Sequence, residues 1–493
     1  MEAGLHTFFS LIASAFILCM GIAFLWVVVV FFIDLNQQQS TIRRNYPVIG
    51  RFRYLFEHLG EFFRQYFFAM DREEMPFNRA LRSWVYRAAK GVPTELAFGS
   101  SRVDSKPGEH HFLNSVFAVL DEDTVAPSPI EFGPHCDVPY LAKSFFNISG
   151  MSYGALSKPA VRALAEGAKL AGCWINSGEG GVSAYHLRSG ADIIAQIGTA
   201  KYGVRDAQGN LSDEKLKALA AHSNVKMFEI KLSQGAKPGK GGILPAEKVN
   251  AEIADIRGII KGVASISPNR HPDINNTEEL LGMINHIRLV TGKPVGIKIV
   301  MGDPAWFIEL CDAINARGNV QAPDFITLDS ADGGSGAAPQ PLLDFVGLPL
   351  RESLPLLIDI LVEHNLKERI RVVASGKLIS PSYVAEALAV GADAVVSARG
   401  FMFALGCIQA MQCNKNTCPT GITTHNTRLQ RGLHVADKSV RVARYQQKMI
   451  HDVEMIAHSC GLQQPSEFSR KHVRIVQADG RSVSLAELYP NKV

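Results

Sequence analysis

The densest chemistry in the chain is the run Cys407-Ile408-Gln409-Ala410-Met411-Gln412-Cys413-Asn414-Lys415-Asn416-Thr417-Cys418-Pro419-Thr420-Gly421. Its cysteines follow C-x5-C-x4-C, and the others of the chain's 8 cysteines are scattered singly. Thiolates are soft ligands that suit iron–sulfur clusters, zinc or Cu(I). A closed zinc site wants four ligands and commonly a C-x2-C pair. Here His425 would have to be the fourth ligand, and the pair is missing. Three thiolates and a final Cys-Pro suit an iron–sulfur cluster, and a count of three suits a three-iron [3Fe-4S] cluster on Cys407, Cys413 and Cys418. Three cysteines without any ligand role are the plain alternative. A cluster would make this a redox protein, with a partner for its electrons elsewhere in the chain.

Such a partner must be positioned, and the pattern upstream shows how. From residue 144, short apolar runs at 145–148, 174–176, 193–197, 228–232, 295–300, 325–328, 372–374 and 394–397 alternate with helix-like stretches such as 160–169, 278–288 and 382–390. Alternating strand and helix imply a parallel sheet. Eight repeats imply a closed (β/α)8 TIM barrel rather than a doubly wound sheet. The expected fold class is α/β: this barrel, an N-terminal transmembrane helix, and helical N- and C-terminal extensions. The boundaries read as 7–33 for the transmembrane helix, 34–143 for linker and cap, 144–430 for the barrel with its cysteine loop, and 431–493 for the C-terminal extension.

Chemistry in such barrels gathers at the C-terminal strand ends. Here Met151 and Ser152 follow the first strand, Glu179 lies beyond the second, and Gln196 closes the third. The fourth runs into Lys231-Leu232-Ser233-Gln234-Gly235-Ala236-Lys237, and the fifth carries Lys298. Asp329-Ser330-Ala331-Asp332-Gly333-Gly334, Ser375-Gly376 and Arg399-Gly400 end or follow the last three. The loops after strands seven and eight form the usual phosphate site of a barrel, where glycines let the backbone approach and an arginine binds the anion. A phosphate-bearing cofactor is expected. Beside a cluster the choice is FMN, because a flavin couples one-electron to hydride chemistry. Lys298 would stabilise the electron-rich edge of the reduced ring. Tight-turn geometry alone would explain any single glycine run, but runs at consecutive strand ends favour a cofactor site. No G-x-G-x-x-G sits between a strand and a helix with the downstream acid. Electrons are therefore expected through the cluster from an external donor, ferredoxin-like or a reductase.

The chain has 493 residues, 47% of them hydrophobic and 20% charged, with a net charge of +4. That is a globular composition with a large core, and it excludes a dedicated nucleic-acid binder, which carries a concentrated basic face. The sparse, unevenly spaced cysteines exclude a disulfide framework and point to a reducing compartment. From Thr7 to Ile33 no residue is charged, long enough for a bilayer-crossing helix of about 20 residues. Arg43, Arg44, Arg51 and Arg53 follow it. The positive-inside rule then gives a single-pass protein of the inner or plasma membrane, its catalytic domain cytoplasmic. A buried core helix and a cleaved signal are the alternatives. The aromatic and basic stretch 50–90 reads as a cap on the main domain, or else as a surface lying on headgroups.

Segment 144–430 resembles the FMN and [3Fe-4S] synthase domain of glutamate synthase. The matching motifs, in order, are Met151-Ser152-Tyr153-Gly154-Ala155-Leu156-Ser157, Gly178-Glu179-Gly180-Gly181, Gln234-Gly235-Ala236-Lys237-Pro238-Gly239, Ile266-Ser267-Pro268, Asp332-Gly333-Gly334-Ser335-Gly336-Ala337 and the cysteine run. The stretch from Arg64-Gln65-Tyr66-Phe67-Phe68 through Pro76-Phe77-Asn78-Arg79 is similar to what precedes that domain in stand-alone members. The resemblance implies that ammonia and 2-oxoglutarate condense and that hydride transfer from FMN yields glutamate. It implies that Lys237 and, by spacing, Arg257 grip the oxoacid, with Glu179 beside it; Glu179 and Lys237 are the catalytic candidates. A solvated helix charge is the other reading of Arg257.

The chain departs from the family in two places. The family's Gln in GGQLPG is Ile243 here, and I-S-P-P-P-H-H-D reads Ile266-Ser267-Pro268-Asn269-Arg270-His271-Pro272-Asp273. The glutaminase and β-helix domains of full-length members have no counterpart, so ammonia is expected from solution or a supplying partner. Three functions compete: glutamate synthesis, a flavin oxidoreductase on the same scaffold with another oxo or imino substrate, and a non-catalytic electron-transfer subunit.

Overall fold

The computed structural model describes residues 2–63, 67–103 and 106–490. The Arg64-Gln65-Tyr66 part of the motif above lies outside them. Contacts divide the chain into two units, Met1–Ala80 and Leu81–Val493.

The first unit opens with the helix Glu2–Asn36, of which Gly4–Asn36 is long and apolar enough to cross a membrane. At 1.5 Å per residue it spans about 50 Å, against about 30 Å of hydrocarbon. The stretch read as a linker contains a short helix, Thr41–Asn45, started by the Ser40 side chain accepting from Arg43 N. The helix Gly50–Phe63 follows. Asp34 ties the two ends of this turn, accepting from Val48 N at 3.0 Å and pairing with Arg51 at 2.8 Å.

The second unit is built on eight parallel strands in chain order: β1 Phe146–Ile148, β2 Ile175–Asn176, β3 Ile193–Ile197, β4 Val225–Lys231, β5 Val295–Ile299, β6 Phe325–Asp329, β7 Arg371–Ser375 and β8 Ala394–Ser397. Each pairs with the next and β8 closes on β1, with Ser397 beside Ile148. The helices between them are bounded as their sequences dictate. Lys158–Ala171 starts at Ser157, whose side chain accepts from Ala160 N, and ends at left-handed Gly172. Its Gly167 lets Val442 of the helix Val435–Ser459 approach, since a Cβ there would stand 2.5 Å from Val442.

Below the barrel, the hairpin Ile130–Phe132/Tyr140–Ala142 forms a plug. Phe132, Tyr140 and Ala142 pack with Trp174, Ile194, Met227, Phe325, Val373, Ala394 and Val396 from the strands. Burying such aromatics contributes about 2–3 kcal/mol each and seals the lower end against water. The extensions are not wholly helical. His110–Phe112 pairs with Val473–Val476, and that strand with Ser482–Ser484, so segments flanking the barrel share one small sheet. From Leu81 onward the helix Arg79–Lys90 packs on the barrel, with Trp84 against Tyr445 and Tyr86 against Phe403.

Candidate functional site

The inward side chains of the strands meet at the centre of the barrel. Glu229 on β4 is 2% exposed and organises three neighbours. It accepts from Asn176 at 2.8 Å, from Gln196 at 2.7 Å and from Thr327 at 2.6 Å. Gln196 therefore has its amide orientation fixed from below. Gly150 passes over this pair, and a Cβ on it would stand 2.9 Å from both Asn176 Oδ1 and Gln196 Nε2. Gly178, at φ +66°, lets the loop after β2 lie against Met151 and Ser152, since a Cβ there would be 2.4 Å from Ser152 N.

On the β5–β8 side, Lys298 stands 3.4 Å from Asp329. Burial works to discharge the ammonium, but Asp329 and Glu229 outweigh it and raise the pKa above the ordinary lysine value. Asp329 also accepts from Gly235 N at 3.0 Å and from Ser375 Oγ at 3.1 Å. The Ser375 hydroxyl is thus committed inside the barrel, and what β7 offers beyond it is the turn at Gly376, φ +137°. Arg399 donates to the Asp332 carbonyl at 2.5 Å and passes under Gly334, whose Cβ would meet its Nε at 2.9 Å. Burial pulls Arg399 down to about 10, against the pull of Asp329 and Asp332. Asp332 accepts from Leu350 N at 2.9 Å. Gly333 and Gly235 press together at this edge, and Gly400 packs under the Tyr445 hydroxyl.

Across the mouth lies a second charged group. Glu179 Oε2 is 2.9 Å from Lys231 Nζ, at the end of β4. Burial pushes Glu179 up, but Lys231, Lys237 and Arg257 together hold its carboxyl below the usual range. Two glycines make its space: a Cβ on Gly242 would stand 2.4 Å from Oε1, and one on Gly198 2.7 Å from its Cβ. Lys237 donates to the Ala337 carbonyl at 3.1 Å; burial lowers its pKa while Glu179 raises it.

Arg257 is 4% exposed, which excludes a solvated helix charge. It donates to Ser265 Oγ and the Tyr153 carbonyl, both at 3.2 Å, and lies over the Tyr202 ring. Its Nε has no hydrogen-bond partner. The sequence-nominated Glu179, Lys237 and Arg257 therefore share one electrostatic site. Lys231, Glu229 and Asp329 belong to the two groups: Lys231 and Asp329 stand in the strand-end runs without an assigned role, and Glu229 was missed. Glu229 and Lys231 lie two apart on one strand, a phase that turns both inward. Arg270 donates to the His271 and Ile274 carbonyls.

The cysteine loop follows the helix Arg399–Leu405. Three of its residues, Gln409, Met411 and Asn416, hold positive φ without being glycine, a strained curl that must be held in place by its surroundings. Gln409 N donates to Cys407 Sγ at 3.4 Å. Burial pushes Cys407 up to about 12, with Cys413 and Cys418 adding to the shift, so the three thiols lie in one another's fields. Against burial, hydrogen bonds from Thr420 and Thr423 hold Cys418 below the ordinary thiol value. His425 Nε2 donates to the Gly154 carbonyl at 2.8 Å. Among the described residues no three His, Cys, Asp or Glu side chains are arranged to hold a metal ion.

A family model described as the conserved region in glutamate synthase matches residues 116–463. The glutamate synthase large subunit-like protein YerD of Bacillus subtilis (strain 168) is 38% identical over 95% of both chains. The chain belongs to the glutamate synthase family. The archaeal-type glutamate synthase [NADPH] of Thermotoga maritima is 32% identical over 69% of this chain, which spans only 63% of that protein. Among solved structures, a flavocytochrome b2 mutant with pyruvate bound matches at a TM-score of 0.47 and 16% identity, over 82% of this chain and 85% of that one. Membership makes the chain an oxidoreductase, and the closed parallel barrel is its scaffold.

Proposed function

We propose that this chain is an FMN- and iron–sulfur-dependent oxidoreductase of glutamate synthase type, which forms glutamate from 2-oxoglutarate and ammonia with electrons from an external donor. The observation that carries the reading is the buried group Glu179, Lys231, Lys237 and Arg257 facing the mouth of the barrel across from Lys298. Three cations around one carboxylate leave surplus positive charge, which suits a dicarboxylate. The unpartnered Arg257 Nε fits the same ligand.

The buried Lys298 and the half-buried Arg399 supply two cations at the ends of β5 and β8, a donor set that suits a phosphorylated flavin. Cys407, Cys413 and Cys418 would hold the cluster, and the Gln409 N–H to sulfur contact suits a thiolate there. Bound FMN would supply hydride, and the cluster single electrons. Lys237 and Arg257 hold the oxoacid carboxylates. Lys231 fixes Glu179 through Oε2, leaving Oε1 to take the ammonium proton as nitrogen adds to the keto carbon. The same oxygen then returns a proton to the departing hydroxyl, so that water leaves and the imine forms. Ammonia comes from solution or a supplying partner. Any NADPH requirement, as in the relative's name, is met through an external ferredoxin-like protein or reductase. The helix Gly4–Asn36 anchors the chain in the inner or plasma membrane, with the barrel cytoplasmic.

Purified full chain with ammonia, 2-oxoglutarate and a reduced one-electron donor should accumulate glutamate. No glutamate at any ammonia concentration sinks the reading. Ile243, 37% exposed beside the site, favours a second reading with a different, less polar oxo or imino acid. A substrate screen following reoxidation of the reduced flavin separates the two, and a response to 2-oxoglutarate alone excludes the second.

A further inference from the structure

Lys248 has no part in the reading so far. It ends the short turn Ala246–Lys248, between the strand Ile243–Leu244 and the helix Ala251–Arg257. It is 2% exposed. Its Nζ donates to the Cys413 carbonyl and to the Thr423 carbonyl, both at 2.6 Å. Two carbonyl dipoles orient a buried ammonium but leave its charge uncompensated, and such a charge is costly without an anion beside it. Among the described residues no Asp or Glu pairs with it; the opposite charges within its reach are those of the Cys413 and Cys418 sulfurs. Beside it, the Thr423 side chain hydrogen-bonds toward the Cys413 and Cys418 sulfurs and favours their charged form. A buried cation without a carboxylate and a hydroxyl turned on the sulfurs both face the cysteines. An anionic group ligated there compensates the cation.

We infer that Lys248 is the counter-ion of the cysteine site: its fixed ammonium compensates a thiolate-bound iron–sulfur cluster and favours the reduced form. The inference rests on the cluster reading proposed above. Reduction adds one electron and no proton to the site, so negative charge rises next to a cation inside a low-dielectric interior. Charge and hydrogen bonding around the sulfurs are what set a cluster's potential. Lys248 acts through the cluster and its loop, as a positioning residue.

The test uses the full chain in detergent, loaded anaerobically with iron and sulfide, and two variants. Lys248→Met removes charge and donor; Lys248→Gln keeps a donor without the charge. Iron content and the potential of the cluster, followed by its paramagnetic resonance, are measured for each. Both variants should shift the oxidised-to-reduced ratio at fixed ambient potential at least tenfold toward oxidised, about 59 mV for one electron. A variant that keeps its fold and flavin but loses its iron also supports the counter-ion. Either variant carrying a full cluster at the wild-type potential overturns it. So does failure of both variants to fold, which would make Lys248 a plain structural tie. Wild-type chain that takes up no iron and sulfide removes the cluster reading itself, a different failure read before any variant is made.

Discussion

At the scale of single residues, the account turns on Glu179 and the room made for it. Lys231 anchors one carboxylate oxygen at 2.9 Å, and Gly242 leaves the other accessible because it has no Cβ. Adding that atom by Gly242→Ala would place it 2.4 Å from Oε1, so the carboxylate must swing away. Gly242→Ala should therefore lower turnover about as much as Glu179→Gln, about 10²- to 10⁴-fold for a lost acid–base group. Flavin content and melting temperature should stay near wild type, as read by absorbance and calorimetry. Full activity in Gly242→Ala would show that Glu179 is not held where the chemistry needs it. The sequence marked Glu179, Lys237 and Arg257 through motif resemblance, and their burial shows in the structure. Lys231 stood in the run at the end of the fourth strand without a role of its own, because no motif singled it out. The observed β4, Val225–Lys231, starts earlier because Lys226 interrupts the apolar run, and it puts Glu229 and Lys231 on one inward face.

At the scale of elements, the barrel was legible because most strands are short apolar runs that stop at Gly, Ser, Asp or an amide. All eight strands lie where these runs do. The hairpin plug was not legible, since strands of three residues, such as Ile130–Phe132 and Tyr140–Ala142, give no period to read. The last long helix, Val435–Ser459, is carried to its end by Asp452, Glu454 and His458, which continue its polar face. The strained cysteine loop sits directly after β8 and its short helix, so the barrel fixes one end and the Lys248 and His425 contacts fix the rest. Cys413→Ser should leave the flavin bound but block its reduction by a protein donor, with dithionite reduction unaffected. Donor-driven reduction at the wild-type rate, with iron shown to be absent, would refute the electron route.

At the scale of the whole molecule, stability and pH are linked through buried histidines. His186 and His271 are 0% and 1% exposed, and burial pushes both to about 4 from an ordinary 6.5. The folded pKa is depressed, so below about pH 6.5 the unfolded chain binds protons that the folded chain refuses. Their neutral state is no burden above that pH, and stability falls as pH drops from about 6.5 toward 4, by up to about 3 kcal/mol per histidine. His186 accepts from Ser183 N through Nδ1, a role an asparagine oxygen can imitate. His186→Asn should therefore flatten the loss of denaturation midpoint between pH 7 and pH 5, and an unchanged slope would contradict this. The central claim is that one barrel face joins an oxodicarboxylate, ammonia and a reduced flavin. Its most direct test is a single turnover: the full chain is reduced anaerobically and mixed in a stopped flow with 2-oxoglutarate, with and without ¹⁵N-ammonia. The account predicts rapid flavin reoxidation only when both are present, with one ¹⁵N-glutamate formed per flavin. Reoxidation without ammonia, or reoxidation that yields no labelled glutamate, would contradict it.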